Sequence, residues 1–148
     1  MTWRRHDCEA LILAAGDAVI AAAPDGSILL WNPAAERVFG YTEAEALGRS
    51  LDLIVPERFR SRHWEGWGRV MRTGSTRYGT RVLRVPAEHK DGHRVSIAFT
   101  VALLFTPSRE VESVAAVVRD ETEHWHEERA LRDRVAELEA LVDQGGDA

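Results

Sequence analysis

Between Gly16 and Pro56 a glycine or proline interrupts the chain every eight residues or sooner, whereas residues 121–142 contain neither. Glycine and proline break helices and central strands. This punctuation therefore limits element lengths before any propensity is weighed. The first third of the chain can hold only short strands and short helices. The last segment can be one uninterrupted helix.

Residues 9–16 read as the end of a short amphipathic helix stopped by Gly16. Residues 17–23 form a short apolar strand and residues 27–31 its return. Pro24-Asp25-Gly26 is the hairpin turn between them, because glycine takes the positive φ that Asp-Gly turns require. Asn32 can cap a helix over residues 34–39, with Pro33 in its first turn and Gly40 at its end. Thr42 and Glu45 have capping-box spacing for another short helix, which ends at Leu47 and Gly48. Pro56 opens a longer helix to about Thr73, weakened by Gly66 and Gly68 at roughly 1 kcal/mol each. Residues 77–86, 93–105 and 111–119 read as three strands, with Lys90-Asp91-Gly92 as the turn between the first two. Strands segregated from helices predict an α+β domain. Its five-stranded antiparallel sheet would carry short helices on one face, with a pocket between the two layers.

In residues 121–142, Leu131, Val135, Leu138 and Val142 recur at spacings of four and three. That is the a/d seam of a coiled coil, shorter than two heptads. The predicted organisation is an N-terminal flank (1–9), a folded domain (10–120), a coiled-coil helix (121–143) and a disordered tail (144–148).

A net charge of -5 over 148 residues argues against a nucleic-acid binder, which needs a basic face to neutralise phosphates. The single cysteine, Cys8, allows no disulfide or cysteine-based metal site within one chain. The longest apolar stretch, residues 10–23, is broken by Gly16 and Asp17, so neither a signal peptide nor a membrane span is predicted and the expected location is cytoplasmic.

Asp25-Gly26 with Ile28, then Trp31-Asn32-Pro33-Ala34-Ala35-Glu36 and Phe39-Gly40-Tyr41, resemble the PAS signature through its first hairpin and following helix. Gly48, Leu53 to Pro56, Lys90-Asp91-Gly92, and Arg119-Asp120 with Thr122 resemble its later landmarks, the last being the Asp-x-Thr exit into a signalling helix. The resemblance covers residues 10 to 122. It implies a PAS fold with a small-molecule pocket and flanking helices that dimerise. The 148 residues contain no kinase, cyclase or DNA-binding segment, so the expected output protein (kinase, cyclase or regulator) acts in trans on a homodimer. Trp125 would pack on the exposed sheet face or across the dimer, and Trp31 in the core or at the sheet rim.

Arg60-Ser61-Arg62-His63 is similar to the helix that supplies the proximal histidine in FixL-type haem-PAS oxygen sensors. By that resemblance His63 is the axial ligand of haem b, a role that suits a neutral imidazole. Arg62 or Arg60 would neutralise a propionate. Arg81, in Gly79-Thr80-Arg81, would be the strand-borne donor that responds to bound oxygen, with Phe99 and Val101 as apolar distal residues. The segment from His63 to Arg81 is shorter than in those sensors, and an inward Trp67 would fill volume that haem needs. In the alternative reading His63 is a half-exposed helix residue, and the pocket takes another small apolar molecule or none.

His89 and His93 bracket a turn, with no third ligand foreseen beside them, so no metal role is expected there. His124 and His126, two apart on a helix, point to different faces. No hydrolase elbow, phosphate-cradling glycine loop or zinc-protease motif occurs, and Asp120, Glu121 and Glu123 suit a helix start. A signalling module is therefore expected, not an enzyme. Cys8 precedes the whole core, which excludes a cysteine-dependent flavin photoreceptor.

Overall fold

The computed structural model describes residues 2–146. The elements are α1 (Arg5–Ala14), β1 (Ala18–Ala22), β2 (Ile28–Trp31), α2 (Pro33–Phe39), α3 (Glu43–Ala46), a 3-10 turn (Leu51–Leu53), α4 (Glu57–Thr73), β3 (Leu83–Glu88), β4 (Arg94–Phe105), β5 (Val111–Asp120) and α5 (Thr122–Gly145). The five strands form one antiparallel sheet in the order β2-β1-β5-β4-β3. The first hairpin occupies one edge. The chain re-enters at the opposite edge as β3 and meanders back until β5 pairs with β1. The helices between β2 and β3 must therefore cross a face of the sheet.

Asn32 anchors the start of that crossing. Its Oδ1 accepts from Ala35 N at 3.0 Å, capping α2, and from Val19 N at 2.8 Å. Its Nδ2 donates to Ile12 O at 2.9 Å and Asp17 O at 3.1 Å. One buried amide thus binds α2, β1 and the end of α1. Ala34 and Ala35 are fully buried, and their small side chains let α2 lie close on the sheet. Trp31 and Phe39 fill the space beyond, ring centroids 5.5 Å apart, with Trp31 Nε1 donating to Tyr41 O at 2.9 Å. Ala18, Ile20, Ile28, Ala87, Val95, Ile97 and Val118 complete this core from the sheet side. Trp31 is a core residue, one of the two places foreseen for it.

Two expectations are corrected, at β3 and at the C-terminal tail. The strand expected over residues 77–86 begins only at Leu83. Gly79 has φ +56, and Arg81 N donates to Tyr78 O at 2.9 Å, so a turn carries residues 78–81 off the line of the sheet. The first helix, whose end was expected over residues 9–16, starts at Arg5, where Asp7 Oδ2 accepts Arg4 N at 2.8 Å and satisfies a helix-start donor. At the other end Gln144 and Gly145, assigned to a disordered tail, are helical residues of α5. Gly146 caps α5, its N donating to Val142 O at 3.1 Å, while tail residues 147 and 148 and Met1 of the flank lie outside the described residues.

Candidate functional site

Helix α4 runs from the 3-10 turn toward the far end of β4, where Phe105 Cε1 would lie 3.8 Å from a Cβ on Gly74. Its residues 60, 63, 64 and 67 follow i, i+3, i+4, i+7 spacing and so share one face. That face is tied down by polar contacts. Arg60 donates to Val55 O at 3.0 Å and Asp52 O at 3.2 Å. Trp64 Nε1 donates to Asp52 Oδ1 at 2.8 Å, and Trp67 Nε1 donates to Pro24 O at 2.8 Å. The opposite side, with Arg58, Arg62 and Arg69, is exposed.

His63 sits inside this aromatic clamp. Its ring meets Trp64 edge-on at 4.6 Å and Trp67 at 5.9 Å. Its Nδ1 is buried and has no hydrogen-bond partner among the described residues. A buried polar atom without a partner costs free energy, about 1–3 kcal/mol, so such an atom calls for an explanation. Burial pushes the imidazole below its ordinary pKa, against the opposing pull of the Asp52 carboxylate. The ring is thus held neutral, the form that ligates a metal.

Strand register places Ile97, Phe99, Val101 and Leu103 of β4 on the same face as Val118, Ala116 and Val114 of β5, with Leu83 and Val85 of β3 opposite Phe99 and Ile97. Near α2 this face is closed: Ile97 and Val118 are buried. Farther along it is not. Leu83, Phe99, Val101, Leu103, Val114 and Ala116 are only half-buried, and Val85 is 42% exposed. A strip of apolar sheet on the helix-bearing side is therefore incompletely covered by protein. Phe99 and Val101 lie on it.

The other predicted residues are distributed differently. Arg60 is committed to two backbone carbonyls, and Arg62 is exposed. Arg81 is exposed in the loop before β3 and is not on a strand, because the turn at Gly79 intervenes. Trp67 is held at the first hairpin by its bond to Pro24. That bond links residues 43 apart in sequence, and no local signal could have found it.

The exit from the sheet is built by Asp120 and Thr122. Asp120 Oδ1 accepts from Thr122 N at 2.9 Å and from Thr122 Oγ1 at 2.6 Å. Thr122 Oγ1 accepts from Ser96 N at 3.1 Å, and Glu121 N donates to Ser96 O at 2.8 Å. The start of α5 is thereby fastened to β4. Trp125 follows one turn later, beside Arg84, Pro86 and Ser96 on the outer sheet side, and it is 39% exposed. Leu131, Val135, Leu138 and Val142 form an exposed apolar row along the rest of α5. Among the described residues no helix is long and apolar enough to cross a membrane.

A family model described as the PAS fold matches residues 6–120. The chain is 31% identical over 123 residues to the sensor protein FixL of Bradyrhizobium diazoefficiens, covering 82% of this chain and 24% of that protein. It is 24% identical to the oxygen sensor protein DosP of Escherichia coli, covering 77% of this chain and 14% of that one. The chain thus spans a quarter or less of the curated relatives it matches. Among solved structures, the PAS domain of a protein from Colwellia psychrerythraea superposes with a TM-score of 0.70 at 18% identity, covering 80% of this chain and 97% of that one.

Proposed function

The chain belongs to the PAS-fold family of sensory and signalling modules, and on that premise we propose that it is a haem-b sensor with His63 as the axial iron ligand. The observation that carries this reading is the buried, unpartnered Nδ1 of a neutral His63 on a helix that crosses toward a half-covered apolar sheet strip. A flat apolar macrocycle would cover that strip, and its iron would supply a centre for binding a small gas or changing redox state. The similarity to FixL and DosP points the same way.

Each side chain then has a task. His63 would hold the iron through its neutral imidazole, oriented by Trp64 and Trp67. Phe99 and Val101 supply apolar walls. Arg62, exposed on the far side of α4, would meet a propionate only by reaching round the helix, and Arg60 serves the backbone around Asp52 and Val55. Arg81, on the segment leading into β3, is the gas-responsive donor, which requires residues 75–82 to fold over the pocket. A ligand that favours one packing of α4 over another biases the sheet and, through Ser96, Asp120 and Thr122, the start of α5. The α5 row pairs with a second copy, and the homodimer signals in the cytoplasm to a kinase, cyclase or regulator without catalysing a reaction itself.

One observation favours a second reading. With Arg60 tied to the backbone and Arg81 outside the sheet, the charged partners of a haem are less prepared than its axial ligand. A haem-free module that binds another small apolar molecule, or none, fits that feature. The visible spectrum of protein expressed with haem precursor separates the two. A Soret band in the wild type that is lost in His63→Ala supports haem, and a colourless wild type overturns it.

A further inference from the structure

The turn between β3 and β4 gathers three ligand-type side chains outside the α4 site. Glu88 and Arg94 are the last paired residues of the ladder. Beyond them His89 N donates to His93 O, and Gly92 N to His89 O, both at 2.9 Å. The two histidines therefore face each other across the tight end of a hairpin. Their rings stack, centroids 4.4 Å apart and 22° from parallel. Asp91, at the tip, folds back between them. Its Oδ1 lies 3.1 Å from His89 Nδ1 and in hydrogen-bond contact with His93 Nδ1. The ligand atoms of all three residues lie within 4.8 Å of one another. Sequence spacing alone offers His89 and His93 no third ligand. The fold brings the Asp91 carboxylate to both rings, a third ligand-type group beside them.

We propose that His89, Asp91 and His93 form a surface site for a late first-row divalent cation of the zinc class, independent of the haem site. The donor set decides the ion. Two imidazoles and one carboxylate suit zinc, copper, nickel or cobalt. Calcium asks for six to eight oxygens, and magnesium for a near-ideal octahedron of them. Three protein ligands with the fourth position open to solvent is an ordinary zinc arrangement. The hairpin brings both histidines together, but their rings lie nearly parallel and His89 Nδ1 accepts Asp91 N at 3.2 Å, so binding an ion requires the rings to turn until both lone pairs meet it. The site also has a structural consequence. The His89 ring lies against Gly40, where an added Cβ would come 2.4 Å from His89 Cε1, and Lys90 N donates to Phe39 O at 2.9 Å. An ion on this turn would fasten it to the end of α2, next to the fully buried Phe39.

The test is calorimetric titration of Zn²⁺ into the haem-free chain, beside Asp91→Asn, His93→Gln and His63→Ala. Asp91→Asn is informative because an amide oxygen still accepts His93 N, as Asp91 Oδ1 does at 3.0 Å, so the turn survives while the charged ligand is lost. One Zn²⁺ per wild-type chain is expected. Asp91→Asn and His93→Gln should each weaken binding by about tenfold or more, at least the loss that follows removal of an outer-shell partner. His63→Ala should bind as the wild type does. Zn²⁺ should also raise the melting temperature of the wild type but not of the two turn variants. No binding by the wild type, equal affinity in the turn variants, or loss of binding in His63→Ala would each overturn the proposal.

Discussion

The indole of Trp64 lies directly on Gly26: a Cβ at that position would come within 2.3 Å of Trp64 Cη2. Gly26 also has φ +85, so both its backbone and its missing side chain are used. Helix α4 can dock on the first hairpin only because nothing projects from the tip of that turn.

Gly26→Ala should therefore act twice. The left-handed backbone costs an L-residue about 1–2 kcal/mol. The new methyl must also displace an indole whose Nε1 is bonded to Asp52 Oδ1. A total loss above about 2 kcal/mol is expected from urea unfolding. In a Trp64→Phe background the Gly26→Ala penalty should shrink toward the backbone part alone. Equal penalties in both backgrounds would mean that the contact carries no energy.

Asn32→Ala should be among the most damaging single changes. It removes an α2 cap and leaves the donors of Val19 and Ala35 and the carbonyls of Ile12 and Asp17 without their side-chain partner. Unsatisfied buried groups cost about 1–3 kcal/mol each. A loss near the top of the ordinary mutational range, about 3–5 kcal/mol, is expected in denaturant melts. A loss under about 1 kcal/mol would show that water replaces the amide.

These two sites mark what could be read from the sequence. The Asp25-Gly26 turn, the Asn32 cap and the Thr42–Glu45 box are local signals, because each needs only neighbours a few residues away. The succession of strands and helices along the chain followed from the same local pattern, but the pairing of β5 with β1 did not. The partner of Trp67 at Pro24 and the half-covered strip on β4 depend on the three-dimensional crossing of α4, and no periodicity encodes them. The start of β3 was misplaced because the turn at Gly79 outweighs the strand propensity of its neighbours. His63 stood out by its motif, but its unpartnered Nδ1 required the folded clamp. The convergence of His89, Asp91 and His93 depends on the turn folding the Asp91 carboxylate back onto both rings, which spacing alone does not encode.

Acid should loosen the contact between α3 and the β3–β4 turn. The Lys90 ammonium and the Thr42 N–H hold the Glu45 carboxyl down to about 2, from an ordinary 4.5. A depressed carboxyl pKa means that the unfolded chain binds the proton first as pH falls. The contribution is complete above pH 4.5 and is lost as pH drops toward about 2. Both side chains are substantially exposed, so the effect is small and weakened by salt. Glu45→Gln should flatten this part of the acid limb in a pH series of thermal melts. An identical limb in wild type and variant would remove Glu45 from the account.

The α5 row gives the last prediction. Leu131, Val135, Leu138 and Val142 are between 46% and 73% exposed in a single chain. Four exposed hydrophobes on one stripe are unusual on a surface helix unless a partner covers them. Their four-three spacing suits a second helix of the same kind. Arg134 and Glu137, paired at 2.9 Å beside the stripe, belong to its charged flank and do not interrupt it. Leu138→Asp places a charge in the middle of the row, where pairing two copies would bury it. It should convert a dimer to a monomer in sedimentation equilibrium. The visible spectrum should not change, because the substitution lies on α5, remote in the chain from His63. A wild type that is already monomeric at high concentration would refute the seam. A Leu138→Asp protein that stays dimeric would move the interface to another surface, with the outer sheet side around Trp125 the next place to probe.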